Sequence, residues 1–254
     1  MELLIVKNLT CAFGGVIALD DVDFTVKKGE IFGLIGPNGA GKTTCFNVIT
    51  GFYKATNGSV RWHEREILGS TMNALAMGGL VRTYQHTSLF PTQTVFENIM
   101  IGAHKHAYKS LLSHLLYTKK LRNSEKQLSD RANEVLKFMD MNADRDVIAA
   151  NLPYVSQRRL EIAIALVAGP ELLLLDEPAA GMNPSEAEQL MTLIKEIRNQ
   201  DITVMLVEHN MRLVMGICDR LVVLDHGLKI AEGIPQEIRN NKQVIDVYLG
   251  KADE

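Results

Sequence analysis

Cysteine is scarce and scattered in this chain. Cys11, Cys45 and Cys218 are odd in number and lack metal-ligand spacing. That excludes a disulfide framework or a thiolate metal cluster, and it points to a reducing compartment. Neither sign of charge dominates: 27 lysines and arginines against 30 aspartates and glutamates leave a net charge of −3. No global field therefore draws the chain to nucleic acid, and only a local patch could do so. Long apolar runs are missing as well. The most apolar stretch, Leu160 to Leu175, is interrupted by Glu161, Pro170 and Glu171. No segment is expected to span a bilayer, so any membrane role must come through a partner. The chain starts directly in a strand pattern, without the apolar core of a signal peptide. Internal repeats, low-complexity tracts and heptads are also lacking. What remains is 254 residues with 46% hydrophobic content, enough to bury a full α/β core and expected to form one domain with a smaller lobe.

One stretch organises the rest. Gly36-Pro37-Asn38-Gly39-Ala40-Gly41-Lys42-Thr43-Thr44 fits the pattern G-x-x-x-x-G-K-[ST]. The apolar run Ile31 to Ile35 precedes it as a strand, and Lys42 to Thr50 can follow as a helix, which is the context the motif requires. Its glycines let successive backbone N–H groups turn inward on phosphate oxygens, and the positive end of the helix adds to that field. Lys42 is expected to reach the β- and γ-phosphates and the Thr43 hydroxyl to sit on Mg²⁺. These residues predict a nucleoside triphosphate site with Mg²⁺.

Leu3 to Leu9 and Ala18 to Val26 read as strands, the second with Val22, Phe24 and Val26 on one face and Asp21, Asp23 and Thr25 on the other. Between them, Phe13 and Val16 flank Gly14-Gly15. The aromatic there either stacks on an adenine, with Val16 beside it, or is an ordinary edge residue. Asn57-Gly58 is a turn signal, and Val60 and Trp62 alternate with Ser59 and Arg61. An antiparallel layer beside the nucleotide strand follows. Leu80 to Gln85 is a short strand ending in a glutamine, and Thr94 to Gly102 a helix. His104 to Asp140 is helical, basic in its first half (Lys105, Lys109, Lys119, Lys120, Arg122, Lys126). Its stripe of Leu111, Leu112, Leu115 and Leu116 reads as packed beneath a solvated basic face rather than as a membrane-surface helix.

Gln157 to Ala168 is predicted as a helix stopped by Gly169-Pro170. Leu172 to Leu175 suits a strand buried on both faces and ends in Asp176-Glu177-Pro178. Asn183 is a helix N-cap with Pro184 in the first turn, followed by a buried face of Leu190, Leu193, Ile194 and Ile197. Ile202 to Val207 is another central strand, closing on Glu208-His209. A hairpin turns at His226-Gly227, and short helices lie near Gln236 and Val244. Strands alternating with helices around a phosphate loop predict a largely parallel, doubly wound sheet.

An acid after four leucines can hold Mg²⁺ at a sheet edge, directly or through water, and Asp176 is that acid. Glu177 lies where it orients or activates the water that attacks the γ-phosphate. His209 ends a second central strand, where it is either a packed histidine or a group that bonds the γ-phosphate or holds that water in line. Gln85, also at a strand end, is a candidate contact to metal and water. The phosphate loop, Gln85, LLLLDEP, Ala180-Gly181-Met182-Asn183 and His209 together resemble the ATP-binding subunit of ABC transporters, over essentially the whole chain. The stretches FGGVIALDDVDF, VRTYQ, NLPYVSQRRLEIA, DEPAAGMNPSE, VEHNMRLVMGICDR and VYLG resemble its branched-chain amino acid uptake branch.

That resemblance implies an ATP-hydrolysing subunit that energises amino acid import. Its implied fold is an α/β P-loop NTPase: a RecA-like core with an antiparallel β-subdomain (1–84 and 169–254), and a helical subdomain (85–168). It implies a head-to-tail dimer with itself or a paralogue around two ATP molecules, with Phe13 as the adenine-stacking aromatic, Gln85 as the hinge that senses the γ-phosphate and Asn183 in the loop touching the opposite subunit. Permease subunits in the membrane, and through them an extracytoplasmic solute-binding protein, are the implied partners, with no nucleic acid. The implied location is the cytoplasmic face of the membrane, peripheral through the permease. An ATPase of a lipid or lipopolysaccharide exporter shares much of this core. A soluble ABC ATPase acting on nucleic acid or ribosomes is disfavoured by the single cassette without heptads, and an unrelated P-loop kinase or GTPase by LLLLDEP with His209.

One stretch departs from the family. Its signature loop reads Leu-Ser-Gly-Gly-Gln, commonly Leu-Ser/Ala-Tyr-Gly-Gln in this branch, whereas this chain has Leu152-Pro153-Tyr154-Val155-Ser156. Pro153 has neither hydroxyl nor N–H, and Val155 adds a β-branched side chain where the family keeps glycine. Arg158-Arg159-Leu160-Glu161 still matches. The resemblance thus implies an intact half-site of Lys42, Asp176 and Glu177, and an altered half offered to the partner subunit.

Overall fold

The computed structural model describes residues 1–83, 89–103 and 119–249. Gln85 and the leucine stripe at 111–116 lie outside them. The chain divides into two compact units, 1–82 with 171–254, and 83–170.

The first unit holds two sheets. β1 (Glu2–Phe13), β2 (Val16–Lys27), β4 (Asn57–Trp62) and β5 (Arg65–Glu66) form an antiparallel sheet in the order β2-β1-β4-β5. β2 alternates as its sequence dictates, burying Leu19, Val22, Phe24 and Val26. Asn57-Gly58 is not the turn its residues suggest but the start of β4. There the ladder with β1 shifts register between Lys7 and Thr10, and Gly58 takes φ 103° against the Asn8 carbonyl, so the turn-forming glycine serves an irregularity in the ladder.

The second sheet runs β10-β9-β3-β8-β7-β6. β3 (Ile31–Ile35), β6 (Leu80–Arg82), β7 (Leu172–Asp176), β8 (Thr203–Val207) and β9 (Arg220–Asp225) are parallel, and β10 (Leu228–Gly233) returns antiparallel to β9. Every residue of β3, β7 and β8 is buried, as expected for strands covered on both faces. Phe24 of β2 stacks on Phe32 of β3 at 5.5 Å, joining the two sheets in one core. Because Leu34 and Asp176 both stand in register with Val207, the carboxyl ends of β3, β7 and β8 share one edge. In an open parallel sheet, that edge is where ligands bind.

Helices close the unit: α1 (Lys42–Ile49), α2 (Met72–Gly78), α6 (Pro184–Arg198), α7 (Met211–Ile217), α8 (Pro235–Asn240) and α9 (Lys242–Leu249). Asn183 caps α6 by accepting from the Glu186 N–H while Glu186 accepts from the Asn183 N–H, with Pro184 in the first turn.

Among the described residues, the second unit is built from α3 (Val95–Gly102), α4 (Lys119–Phe138) and α5 (Tyr154–Val167). Val95 and Ile99, Leu128, Ala132 and Leu136, and Leu160, Ala163 and Val167 are among its buried residues from the three helices in turn. α5 starts at Tyr154 rather than Gln157. Pro153, at φ −55°, sits at its N-cap, where a fixed φ and a missing N–H cost nothing. No described helix is long and apolar enough to cross a membrane.

Candidate nucleotide site

The phosphate loop joins β3 to α1. Gly36 is buried, and a Cβ there would collide with the Leu224 carbonyl. Gly41 takes φ 101° at the N-cap of α1, where a Cβ would lie 2.5 Å from the Ala18 carbonyl oxygen. Only glycine fits either place. The loop is tied to its surroundings by the hairpin turn after β9, since the Gly227 N–H donates to the Ala40 carbonyl and the Asp20 N–H to that of Gly227. Asn38, Gly39 and Thr43 are exposed, Pro37 and Thr44 half-buried, and Ala40 buried. No side chain caps α1 and no acid lies in its first turn, so its first N–H groups keep their pull on an anion.

Lys42 is 5% exposed, and its Nζ donates to the carbonyls of Gly36 and Pro37 at 2.7 and 2.8 Å. Burial lowers the pKa of its ammonium, and the nearby Glu177 and Asp176 carboxylates oppose that. Asp176 ends β7 with its side chain 1% exposed. Its Oδ2 accepts from Arg82 at 2.6 Å, while Oδ1 is buried without a hydrogen-bond partner. Glu177 follows at φ 46°, a conformation uncommon for a residue other than glycine, with its N–H donating to the Val207 carbonyl at 2.9 Å. His209 lies beyond the end of β8, its Nδ1 3.8 Å from Glu177 Oε1. Lysine, two acids and histidine, remote in sequence, thus meet at one sheet edge.

The exposed Thr43 hydroxyl and the unpartnered Asp176 Oδ1 are the hard oxygen donors that Mg²⁺ takes. Among the described residues no group of three or more His, Cys, Asp or Glu forms a metal cage. This donor set suits a cation that shares its ligands with a phosphate chain.

Phe13 and Val16 pair at the tip of the β1–β2 hairpin, 44% and 69% exposed. The Phe13 ring stands edge-on to Tyr53, with centroids 5.0 Å apart. Leu152 is buried and accepts from Gln157 Nε2 through its carbonyl. Pro153 and Tyr154 are exposed, and Val155 and Ser156 half-buried. Tyr154, Val155 and Ser156 form the first turn of α5 rather than a loop.

Two residues at the sheet edge escaped the sequence reading. Glu208 is fully buried; its Oε1 accepts from the Ala179 N–H and its Oε2 from those of His209 and Asn210, at 2.9 to 3.3 Å. It ties the segment after Glu177 to the one carrying His209. Burial raises its pKa, against those three hydrogen bonds and His209. An acid directly after a buried, mostly apolar strand, much the same signal that marked Asp176, could have found it. Arg82, a charge closing a short apolar strand, is the second. An apolar cleft of about 510 Å³ between α7, α8 and α9, lined by Met211, Met215, Ile238 and Val244 among others, shares no residue with this edge.

Comparison with known proteins gives this geometry its context. The family model described as ABC transporter matches residues 19–180, and that of the branched-chain amino acid ATP-binding cassette transporter matches 229–254. The chain is 47% identical to the high-affinity branched-chain amino acid transport ATP-binding protein LivG of Salmonella typhimurium, and 42% to the similarly described BraF of Pseudomonas aeruginosa, over 98% of this chain and of each relative. A crystal structure of an ABC transporter's ATP-binding cassette in its ADP conformation matches with a TM-score of 0.87 at 33% identity, covering 99% of this chain and all of the other. The expected architecture of an antiparallel sheet beside a RecA-like one is therefore that of solved ABC cassettes, and the chain belongs to the ATP-binding proteins of ABC transporters, in the branch of LivG and BraF.

Proposed function

We propose that this chain hydrolyses ATP with Mg²⁺ to drive the import of branched-chain amino acids through membrane permease subunits. The observation that carries the reading is the meeting of Lys42, Asp176, Glu177 and His209 at the carboxyl edge of β3, β7 and β8. The similarity to LivG and BraF supports the choice of substrate.

In this reading the phosphates lie on the inward N–H groups of residues 36–44, and Lys42 leaves its loop carbonyls to neutralise the β- and γ-oxygens. Thr43 and Asp176 hold Mg²⁺, which supplies charge compensation on the phosphate chain. Glu177 accepts a hydrogen bond from the attacking water and polarises it, while His209 holds the water or the γ-phosphate in line. Phe13, with Val16 beside it, gives the adenine a stacking face. The exposed outer side of the loop suits coverage by a second ATPase subunit, itself or a paralogue. ATP-driven closure of that pair would move the permease, with the protein peripheral on the cytoplasmic face and a solute-binding protein delivering substrate outside.

The test is uptake into vesicles holding this chain with its permease subunits, loaded with ATP and given solute-binding protein outside. Labelled leucine, isoleucine or valine should accumulate, and Lys42→Ala should abolish accumulation. Uptake indifferent to internal ATP, or ATPase stimulated only by lipid, would overturn the reading.

A further inference from the structure

The reading above gives no role to Arg82, a buried cation at the sheet edge. Arg82 closes β6 with its side chain 6% exposed. One arm, Nη2, donates to Asp176 Oδ2 at 2.6 Å. The other, Nη1, donates to Asn47 Oδ1 at 2.7 Å and to Thr50 Oγ1 at 3.1 Å, and the guanidinium lies 5.5 Å from the Phe46 ring centroid. Asn47 lies in α1 and Thr50 is its C-cap. A single planar fork therefore joins the acid that ends β7 to the far end of the helix whose first turn carries Thr43. A charge at such depth is retained where it is paired and hydrogen-bonded in a fixed geometry. Arginine can face a carboxylate on one edge and neutral oxygens on the other, whereas lysine is a point charge.

The consequence falls on Asp176. With Oδ2 occupied, its carboxylate cannot spin freely, and the unpartnered oxygen is Oδ1. Mg²⁺ demands near-ideal octahedral geometry at short distances, so the orientation of a ligating carboxylate and its separation from a hydroxyl ligand are tightly constrained. We propose that Arg82 is a positioning residue for the metal: it turns Asp176 so that Oδ1 faces the cation and, through Asn47 and Thr50, fixes that oxygen relative to Thr43 on α1. The inference rests on the reading of Asp176 and Thr43 as the metal-facing pair. Outer groups of this kind typically change metal affinity 10–100-fold when removed.

The experiment measures Mn²⁺, as a probe for Mg²⁺, by electron paramagnetic resonance on the ATP-bound protein. Binding of a fluorescent ATP analogue in EDTA gives metal-free nucleotide affinity beside it. Arg82→Gln should weaken Mn²⁺ binding about 10–100-fold and leave metal-free nucleotide affinity within about threefold. Arg82→Lys should restore only part of the loss, because one ammonium cannot reach Asp176, Asn47 and Thr50 together. Should Arg82→Gln fail to fold, Asn47→Ala keeps the Asp176 pair and should still weaken Mn²⁺ binding, by about threefold or more. Normal Mn²⁺ affinity in folded Arg82→Gln or Asn47→Ala, with a loss in Asp176→Asn, overturns the positioning role and leaves Asp176 as the metal's acid. Normal affinity in Asp176→Asn as well overturns the metal reading itself. A loss of metal-free nucleotide binding equal to the loss of Mn²⁺ would make Arg82 merely structural.

Discussion

Glu177 sits close enough to Lys42 to oppose the lowering of its pKa by burial, yet replacing the two should have separable effects. Lys42→Ala removes the cation that compensates phosphate charge, so ATP affinity should fall. Glu177→Gln keeps shape and hydrogen bonding but not the charge that polarises water. Nucleotide binding should survive and turnover drop by about two orders of magnitude or more, measured by fluorescence titration beside single-turnover hydrolysis. Wild-type turnover in Glu177→Gln would remove it from catalysis. Glu208 gives a prediction in pH. Its raised pKa means that the folded protein binds this proton more tightly than the unfolded chain. The stability linked to it is complete below the ordinary glutamate value of about 4.3 and is lost as pH rises through the higher folded value. Glu208→Gln lacks that term. The stability of the wild type minus that of the variant, from urea titrations between about pH 4 and 8, should therefore fall with rising pH, and a flat difference would refute the assignment.

At the scale of elements, the beginning of α5 decides how the altered signature stretch behaves. The helix begins three residues earlier than its sequence suggests, and its first turn has neither a side-chain cap nor an acid. In the proposed head-to-tail pair, the N–H groups of Val155 and Ser156 would face an anion held by the second subunit. What the stretch lacks is the hydroxyl that the family places at 153. Restoring Pro153→Ser, Val155→Gly and Ser156→Gln together should raise the ATPase rate of the purified protein, by up to about 10²-fold, the usual worth of one donor at a developing charge. In a transporter whose second ATPase is a paralogue with its own intact signature, the gain should be confined to the partner's nucleotide. An unchanged rate in both settings would mean that the helix start suffices. Strands and helix caps were the more legible elements. LLLLD, TVMLV and IFGLI suited buried strands, and Asn183-Pro184 marked a helix start. Asn57-Gly58 misled because the residues that make turns also make bulges.

For the whole molecule, the first unit is assembled from segments far apart in the chain: the Gly29 N–H donates to Thr203 Oγ1 across 174 residues. Such pairing makes the nucleotide edge a property of the completed sheet, so the site and the core should be lost in one cooperative transition. The open outer face of the phosphate loop bears on assembly. Glu177→Gln with saturating ATP should elute at twice the monomer mass on gel filtration, and Lys42→Ala should remain monomeric. Monomeric Glu177→Gln at saturating ATP, alone and with its paralogue, would count against a head-to-tail pair.

The sequence alone determined whatever is local: the glycine-lysine loop, the apolar strands with an acid or histidine at their ends, and the caps. In each, the residue type and its neighbours settle the backbone or the chemistry without help from the rest of the chain. Tertiary structure decided what depends on register between distant strands. That Arg82 meets Asp176, that Glu208 holds both Ala179 and His209, and that Glu177 and His209 face each other at 3.8 Å follows from the order of β6, β7 and β8 in the sheet. No pattern of spacing records that order, because hydrogen-bonded strands become neighbours only when the core beneath them closes.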